Sequence, residues 1–415
     1  MRRIRLAISM SATPIPHRFL LPMLLPCLLL GQEAGLTERE AVQRALARPE
    51  HQAIAALPEQ EASALLKERR ILLNPSVEWT REKFDGPGTG RREDTWLFTQ
   101  PLDLSGRKGL QREAAERRLD ASRAEGEMNR ALLVGRVREA FYEVLHAHRR
   151  VLALEAALTR VQRWADAVDR QAKAGDASGA DSRRIRRESE RLAVQHTEAT
   201  LAQERAVAGL QALLGMPSIT PKGELLPEAP QAWNEIQAAY GNGPSSKAWS
   251  ALEVASQAEA RSGRRWAPEL TVGAGVKRWQ EPGIQGSGSV LSFGFTFPQW
   301  NRIQADRQRA DARARATQAE VKLARETATG ELKTRWEEAS RLREAALRFD
   351  QAAGGEGAHL LQSLEAAYQA GEASLFELLE TQRNVVEGDL EGLALSLRAR
   401  KARIALDQML GKVEP

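Results

Sequence analysis

Cysteine is almost missing from this chain. The single one, Cys27, lies inside an apolar run near the N-terminus. If that run is removed as a leader, no thiol remains, which excludes disulfide bonds and cysteine chemistry. Runs of 18 consecutive apolar residues are also missing, so no segment reads as a transmembrane helix. A barrel strand is not excluded, because about ten residues of alternating character suffice for one. Proline does not occur between Pro101 and Pro217, nor from Gln299 to Glu414. There is no nucleophile–base motif, phosphate-binding loop or dinucleotide fingerprint. His146 and His148 are two apart and face different sides of a helix, so they form no metal-ligand pair. No reaction, cofactor or metal site is expected.

Arg, Ala, Glu and Leu dominate the composition, as in long helices and coiled coils. The net charge of +5 and pI near 9.5 come from arginines interleaved with glutamates. No basic stripe alternates with stacking aromatics, so nucleic acid is not an expected partner. Arg2, Arg3, Arg5 and Arg18 precede the apolar run Phe19 to Leu30, which is too short to span a bilayer and suits a signal peptide over residues 1–34, cut after Gly31 or Ala34. Leu24-Leu25-Pro26-Cys27 leaves lipidation at Cys27 as the alternative.

The chain repeats itself. Ala174-Gly175-Asp176-Ala177-Ser178 returns as Ala370-Gly371-Glu372-Ala373-Ser374, with Gly175 and Gly371 196 apart. Leu213-Leu214-Gly215 returns as Met409-Leu410-Gly411 at the same offset, and Phe98-Thr99-Gln100-Pro101 as Phe295-Thr296-Phe297-Pro298 at 197. Constant offsets indicate tandem duplication. Residues 36–215 form the first repeat, 216–245 a Pro- and Gly-rich linker with a small helix near Trp233 to Ala239, 246–411 the second repeat, and 412–415 a tail.

Each repeat has the same plan. Thr37 and Glu40 spell a helix start, and Ala41, Val42, Ala45 and Leu46 give its apolar stripe. Pro49 and Pro58 are expected to interrupt this helix, which then resumes to Leu73. Strands are expected in a hairpin over 74–104 and again over 267–298. A helix follows over 105–174, in which Val134, Val137, Phe141, Val144, His148, Val151, Leu154, Leu158, Val161, Ala165 and Val168 step by three and four like a coiled-coil seam. Its length is roughly 105 Å at 1.5 Å per residue, too long to bury itself in a globule. Glycine ends it, and a second helix returns over 176–215. The second half repeats this as 301–370 and 372–411, with Gly354-Gly355-Glu356-Gly357 expected to kink the longer helix. In the second hairpin Leu291, Phe293, Phe295 and Phe297 alternate with small or polar residues. Trp79, Trp96, Trp266, Trp279 and Trp300 gather at the hairpins, as girdles do in membrane barrels.

Several stretches resemble the TolC-type outer-membrane factors: Leu36-Thr37 with Ala41-Val42, Ala45-Leu46 and Pro49-Glu50; Leu73-Asn74-Pro75; Gln100-Pro101-Leu102-Asp103-Leu104-Ser105-Gly106-Arg107-Lys108; Ala267 to Gly275; and both glycine turns. The part around Gly106-Arg107-Lys108 is most similar to the cobalt-zinc-cadmium resistance branch. The resemblance implies a mainly α fold with a small β part. Three copies would form one 12-stranded outer-membrane barrel set in lipid, continued by a periplasmic helical tunnel. It also implies a periplasmic adaptor and an inner-membrane pump of the resistance-nodulation-division type as partners, with the channel itself passive. The turns at Gly175, Asp176, Gly371 and Glu372 would form the tip that meets the adaptor. Glu377 and Glu380, with Tyr368 on the approach, match the positions of the family's acidic constriction. Arg183 and Arg184 depart from the family pattern and are candidates for tip-closing ion pairs. Alternatives left open are a channel for drugs, other small molecules or proteins, and a soluble periplasmic coiled-coil adaptor or structural rod.

Overall fold

The computed structural model describes residues 35–86, 89–175, 178–265, 269–296, 302–353 and 355–413. The leader-like segment with Cys27, and Asp176, Trp266 and Trp300, lie outside the described residues. The first half runs α1 (Glu38–Ala47), α2 (Pro49–Arg70), β1 (Ser76–Gly86), β2 (Thr89–Asp103), α3 (Arg107–Ala174) and α4 (Gly179–Leu214). The linker carries α5 (Trp233–Gly241). The second half runs α6 (Pro244–Arg264), β3 (Glu269–Glu281), β4 (Ile284–Thr296), α7 (Arg302–Ala353), α8 (Glu356–Gln369) and α9 (Leu375–Met409).

Local chemistry sets the boundaries. Thr37 and Glu40 form a reciprocal capping box at the start of α1. Pro49 begins α2 at a position where its missing N–H is not needed. Pro58, expected to interrupt the helix, is instead accommodated within α2, whose 22 residues continue to Arg70. The helix stops there, short of Leu73. Asp103 organises the start of α3 by accepting from the backbone N–H groups of Ser105 at 2.9 Å and Lys108 at 3.0 Å, while Gly106 takes a left-handed φ of 71°. The long helix of the second half divides, because Gly355 adopts φ 88° between α7 and α8.

The four strands form one antiparallel sheet in the order β1-β2-β3-β4. The two hairpins therefore join edge to edge: Arg92 to Asp103 pair with Glu269 to Gln280 across the repeats. The strands, 11 to 15 residues long, lie within the two expected hairpins. Close backbone approach at the β2–β3 seam requires glycine, since a Cβ on Gly275 would fall 2.0 Å from the Trp96 carbonyl oxygen.

Helix α3 is the spine. Its seam residues Val134, Val137, Phe141 and Val144 pack with Ala41 and Val42 of α1 and Leu210 and Leu214 of α4. Further along, Leu154, Val161 and Val168 pack with Ile185 and Leu192 of α4 and Leu378 of α9. At the first of these zones the linker is tied down. Leu36 bridges to Pro221, with Leu36 N–H donating to Thr220 at 2.8 Å and Lys222 N–H to Leu36 at 2.9 Å. Arg400 donates to the carbonyls of Glu224, Leu225 and Leu226 at 2.7–2.9 Å, Arg403 to that of Ala229 at 3.0 Å and Arg343 to that of Pro227 at 3.1 Å.

Gly275→Val should disrupt the β2–β3 seam, at a cost exceeding the ~1–3 kcal/mol of ordinary overpacking because the clash is with backbone. Gly288→Val, in the same sheet but with open space at its Cβ position, should be tolerated. Limited proteolysis of the hairpins distinguishes them: equal resistance in both variants would refute the seam argument.

Candidate channel wall and tip

Strand alternation gives the sheet two chemically different faces. One carries Val77, Trp79, Trp96, Phe98, Val276, Leu291, Phe293 and Phe295, all exposed. Their cross-strand rows are aligned by the register: Trp79 opposes Trp96, which opposes Val276, and Val77, Phe98, Ala274 and Leu291 form the next row. The Trp79 and Trp96 rings lie 5.9 Å apart. The other face carries Glu78, Thr80, Glu82, Thr95, Gly273, Gly275, Gly286, Ser292 and Gly294. Glu93 is buried there between Arg91, at 2.5 Å, and Lys277, while Arg91 also reaches Glu281 at 3.3 Å.

This division corrects the expected aromatic girdle. Trp279 opposes Glu93 and Gly286 and so lies on the polar face, with the Arg91 guanidinium 5.8 Å from its ring centroid. Of the five tryptophans, Trp79 and Trp96 share the apolar face.

At the far end of the helices both reversals come together. Gly175 and Gly371 take φ 88° and 80°, left-handed values natural to glycine. The Gly371 N–H donates to Tyr368 at 3.0 Å and that of Glu372 to Ala367 at 2.9 Å. The serine repeated after each glycine is the next helix's N-cap. Ser178 accepts from the N–H groups of Ala180 and Asp181, and Ser374 from that of Glu377.

Glu377 completes a capping box, its carboxylate accepting from Ser374 N at 2.8 Å and Ser374 Oγ at 2.9 Å. Those bonds hold its pKa below the usual carboxylate value. Glu380 is exposed one turn further on, after the buried Leu378 and Leu379. Tyr368 is half-buried against the hairpin core, and burial, reinforced by the Asp181 charge, pushes its phenol up. Arg184 pairs with Asp181 at 3.5 Å along its own helix, and Arg183 makes no ion pair among the described residues. The pair that crosses the first turn is Arg186 with Asp169 at 2.5 Å, where Ser182 also donates to Asp169.

The links between the two helical hairpins escape sequence reasoning. Glu188 on α4, its side chain 1% exposed, accepts from Arg191 at 2.6 Å and from Arg383 Nε of α9 at 2.9 Å. Arg160 donates to Gln382 at 2.8 Å and Trp164 Nε1 to Glu365 at 2.8 Å. The one available signal is that Glu188 and Arg383 are 195 apart, opposite charges at nearly equivalent positions of the repeat.

The model of the outer membrane efflux protein family matches residues 41–216 and 236–412. The chain belongs to that family. A cobalt-zinc-cadmium resistance protein, CzcC of Cupriavidus metallidurans, is 26% identical over 357 residues, covering 84% of this chain and 83% of that one. The nickel and cobalt resistance protein CnrC of the same organism is 26% identical over 306 residues, 66% of this chain and 68% of that one. Among solved structures, the channel CusC superposes with TM-score 0.75 at 18% identity, covering 92% of this chain and 95% of that one. The Campylobacter jejuni outer membrane channel CmeC gives 0.74 at 16%, covering 90% and 85%.

Family membership gives the two ends their setting, with the sheet in the outer membrane of a Gram-negative bacterium and the helices in the periplasm. Outer membrane efflux proteins are trimers that work with periplasmic adaptors and inner-membrane pumps. In such a trimer the apolar face of the sheet meets lipid and the polar face lines the lumen.

Burial opposes the charge on Glu188, but hydrogen bonds from Arg383 and Arg191 outweigh it and hold the carboxyl below its usual range. A depressed folded pKa stabilises above the unfolded value, about 4.3, and that contribution is lost as pH falls through the folded value. Thermal midpoints of the wild type should therefore hold near neutrality and decline in acid, and Glu188→Gln should show a shallower decline. Parallel profiles would remove Glu188 from the tip's stability.

Proposed function

We propose that this chain is the passive outer-membrane duct of a tripartite efflux system that expels divalent heavy-metal cations. The observation that carries the cargo is the set of metal-resistance relatives, CzcC and CnrC, with the nickel-cobalt-cadmium resistance protein NccC of Alcaligenes xylosoxydans at 25% identity over 309 residues. The acidic groups support it. The polar face of the sheet bears Glu78, Glu82 and Glu281, and the tip bears Glu377 and Glu380, so three copies focus negative potential along the path. The chain supplies no reaction, cofactor or resident metal.

In this reading the pump is of the resistance-nodulation-division type, and the adaptor docks at the turns around Gly175 and Gly371. Glu377 and Glu380 form the narrow acidic ring, with Tyr368 behind it. The capping box favours that role, because it fixes the Glu377 carboxylate at the first turn of α9 and keeps it ionised. Residues 1–34 direct export and are removed.

A strain lacking this channel should become sensitive to divalent cobalt, zinc, cadmium or nickel while its tolerance of organic toxicants stays unchanged. The opposite profile would assign a small-molecule cargo and reject the metal reading. In single-channel recordings, Glu377→Ala combined with Glu380→Ala should lower the preference for cations several-fold. Unchanged selectivity would place the constriction elsewhere.

A further inference from the structure

The apolar face of the sheet changes character at one row. From Leu102, Leu270 and Phe295 up to Trp79, Trp96 and Val276 its residues are almost all apolar. The next row, two residues and about 7 Å further along the strands, holds Arg81, Asp94, Arg278 and Ser287. The row beyond holds Lys83, Arg92, Gln280 and Gln285. These rows lie toward the hairpin turns, away from the helices, which puts them at the outer surface of the membrane.

Here the lipid-facing side has four cations, Arg81, Lys83, Arg92 and Arg278, against two carboxylates, Asp85 and Asp94. Asp94 acts as an organiser: Arg81 Nε reaches it at 2.6 Å and Arg92 Nε at 3.2 Å. The Arg81 guanidinium also lies 4.8 Å from the centroid of a Trp79 ring, a stacked arrangement that joins the charged row to the aromatic one. Lys83 and Arg278 are exposed and have no acidic partner among the described residues. The lumen side at the same height has the opposite balance, with Glu82, Glu93 and Glu281 against Arg91 and Lys277. The net positive charge is thus on the lipid side, where the bilayer's hydrocarbon ends.

We propose that Arg81, Lys83, Arg92 and Arg278 form a docking surface for the phosphate groups of phosphorylated glycolipids in the outer leaflet. The proposal rests on the trimeric outer-membrane reading and adds a ligand class to it. Arginine forks and a lysine point charge suit phosphate oxygens. The surface continues directly from the apolar belt, so one lipid can place its acyl chains on Phe98, Leu291 and Phe293 and its phosphate on the cations above. A free anion would have no use for that belt.

Purified full-length trimers can be examined by native mass spectrometry with a bisphosphorylated lipid-A-type glycolipid and with the same glycolipid after phosphate removal. The wild type should retain the phosphorylated form in several-fold excess. Lys83→Gln with Arg278→Gln should reduce that excess, and adding Arg81→Gln with Arg92→Gln should abolish it. Lys322→Gln with Lys333→Gln, on exposed positions of α7, should behave as wild type. Equal retention of both glycolipids by the wild type overturns the proposal without any variant having to fold. Full displacement by inorganic phosphate overturns it too, by assigning the cations to free anions. Recovery of the wild type as a soluble periplasmic monomer would overturn the channel reading itself, whereas an outer-membrane trimer with no phosphate preference overturns the lipid site alone.

Discussion

A helix of 68 residues cannot bury itself. At about 1.5 Å per residue, α3 extends roughly 100 Å, and every stretch of its apolar seam needs a partner from another element. The fold supplies partners in succession: α2 and α6 near the sheet, α1 and α9 at mid-length, and α4 along the return. Ion pairs such as Arg118 with Glu259 and Arg261 with Glu113 fasten the outer faces at 2.7–2.9 Å, but they are exposed and contribute little each. The buried small and branched residues stabilise the stack. Apolar side chains still exposed on the single chain, among them Val194, Leu323 and Leu360, are of the kind that a family of trimers covers with neighbouring copies.

The same demand explains the arginines at mid-length. The linker between the repeats is irregular, so its carbonyls lack helical or strand partners, and unpaired backbone groups against a packed bundle are costly. Arg400, Arg403, Arg343 and, through Gly223 at 2.7 Å, Arg149 satisfy them. Arg138 is buried beside them, joining Glu38 of α1 to Asp407 of α9 at 3.1 Å. Breaking such a pair by removing one partner leaves a buried charge uncompensated. The arginines behind the basic composition are, in this belt, internal scaffolding between the two halves.

What the sequence discloses follows the range of the interaction. The capping box at Thr37, the helix break at Gly355 and the glycine reversals are local, and they stand in the structure as the residues spell them. Pro58 is misread because a proline signals a break only where its neighbours cannot tolerate the lost hydrogen bond, and α2 absorbs it without stopping. The Ser374–Glu377 box is equally local, with the same three-residue spacing as Thr37 and Glu40. Trp279 is misassigned because clustering in sequence ignores parity: its odd spacing from Val276 puts it on the other face of the strand. Glu188 and Arg383 are beyond any local rule, since one charge among many on a helix gives no sign of burial until the two hairpins pack.

Parity also bears on how a passive duct can favour cations without trapping them. A wall with closely paired carboxylates and no counter-charge would bind a divalent ion too tightly to release it, and conduction needs sites favourable enough to enter and weak enough to leave. Here the most buried carboxylate of the wall, Glu93, is neutralised by Arg91 and Lys277, and Arg91 also engages Glu281. The carboxylates left open, Glu78 and Glu82, are exposed and separated by two strand rows. On the proposed reading, a cation leaving the tip meets a mild negative field in the barrel and no cage of ligands. The most buried acid of the wall thereby holds neighbouring strands together.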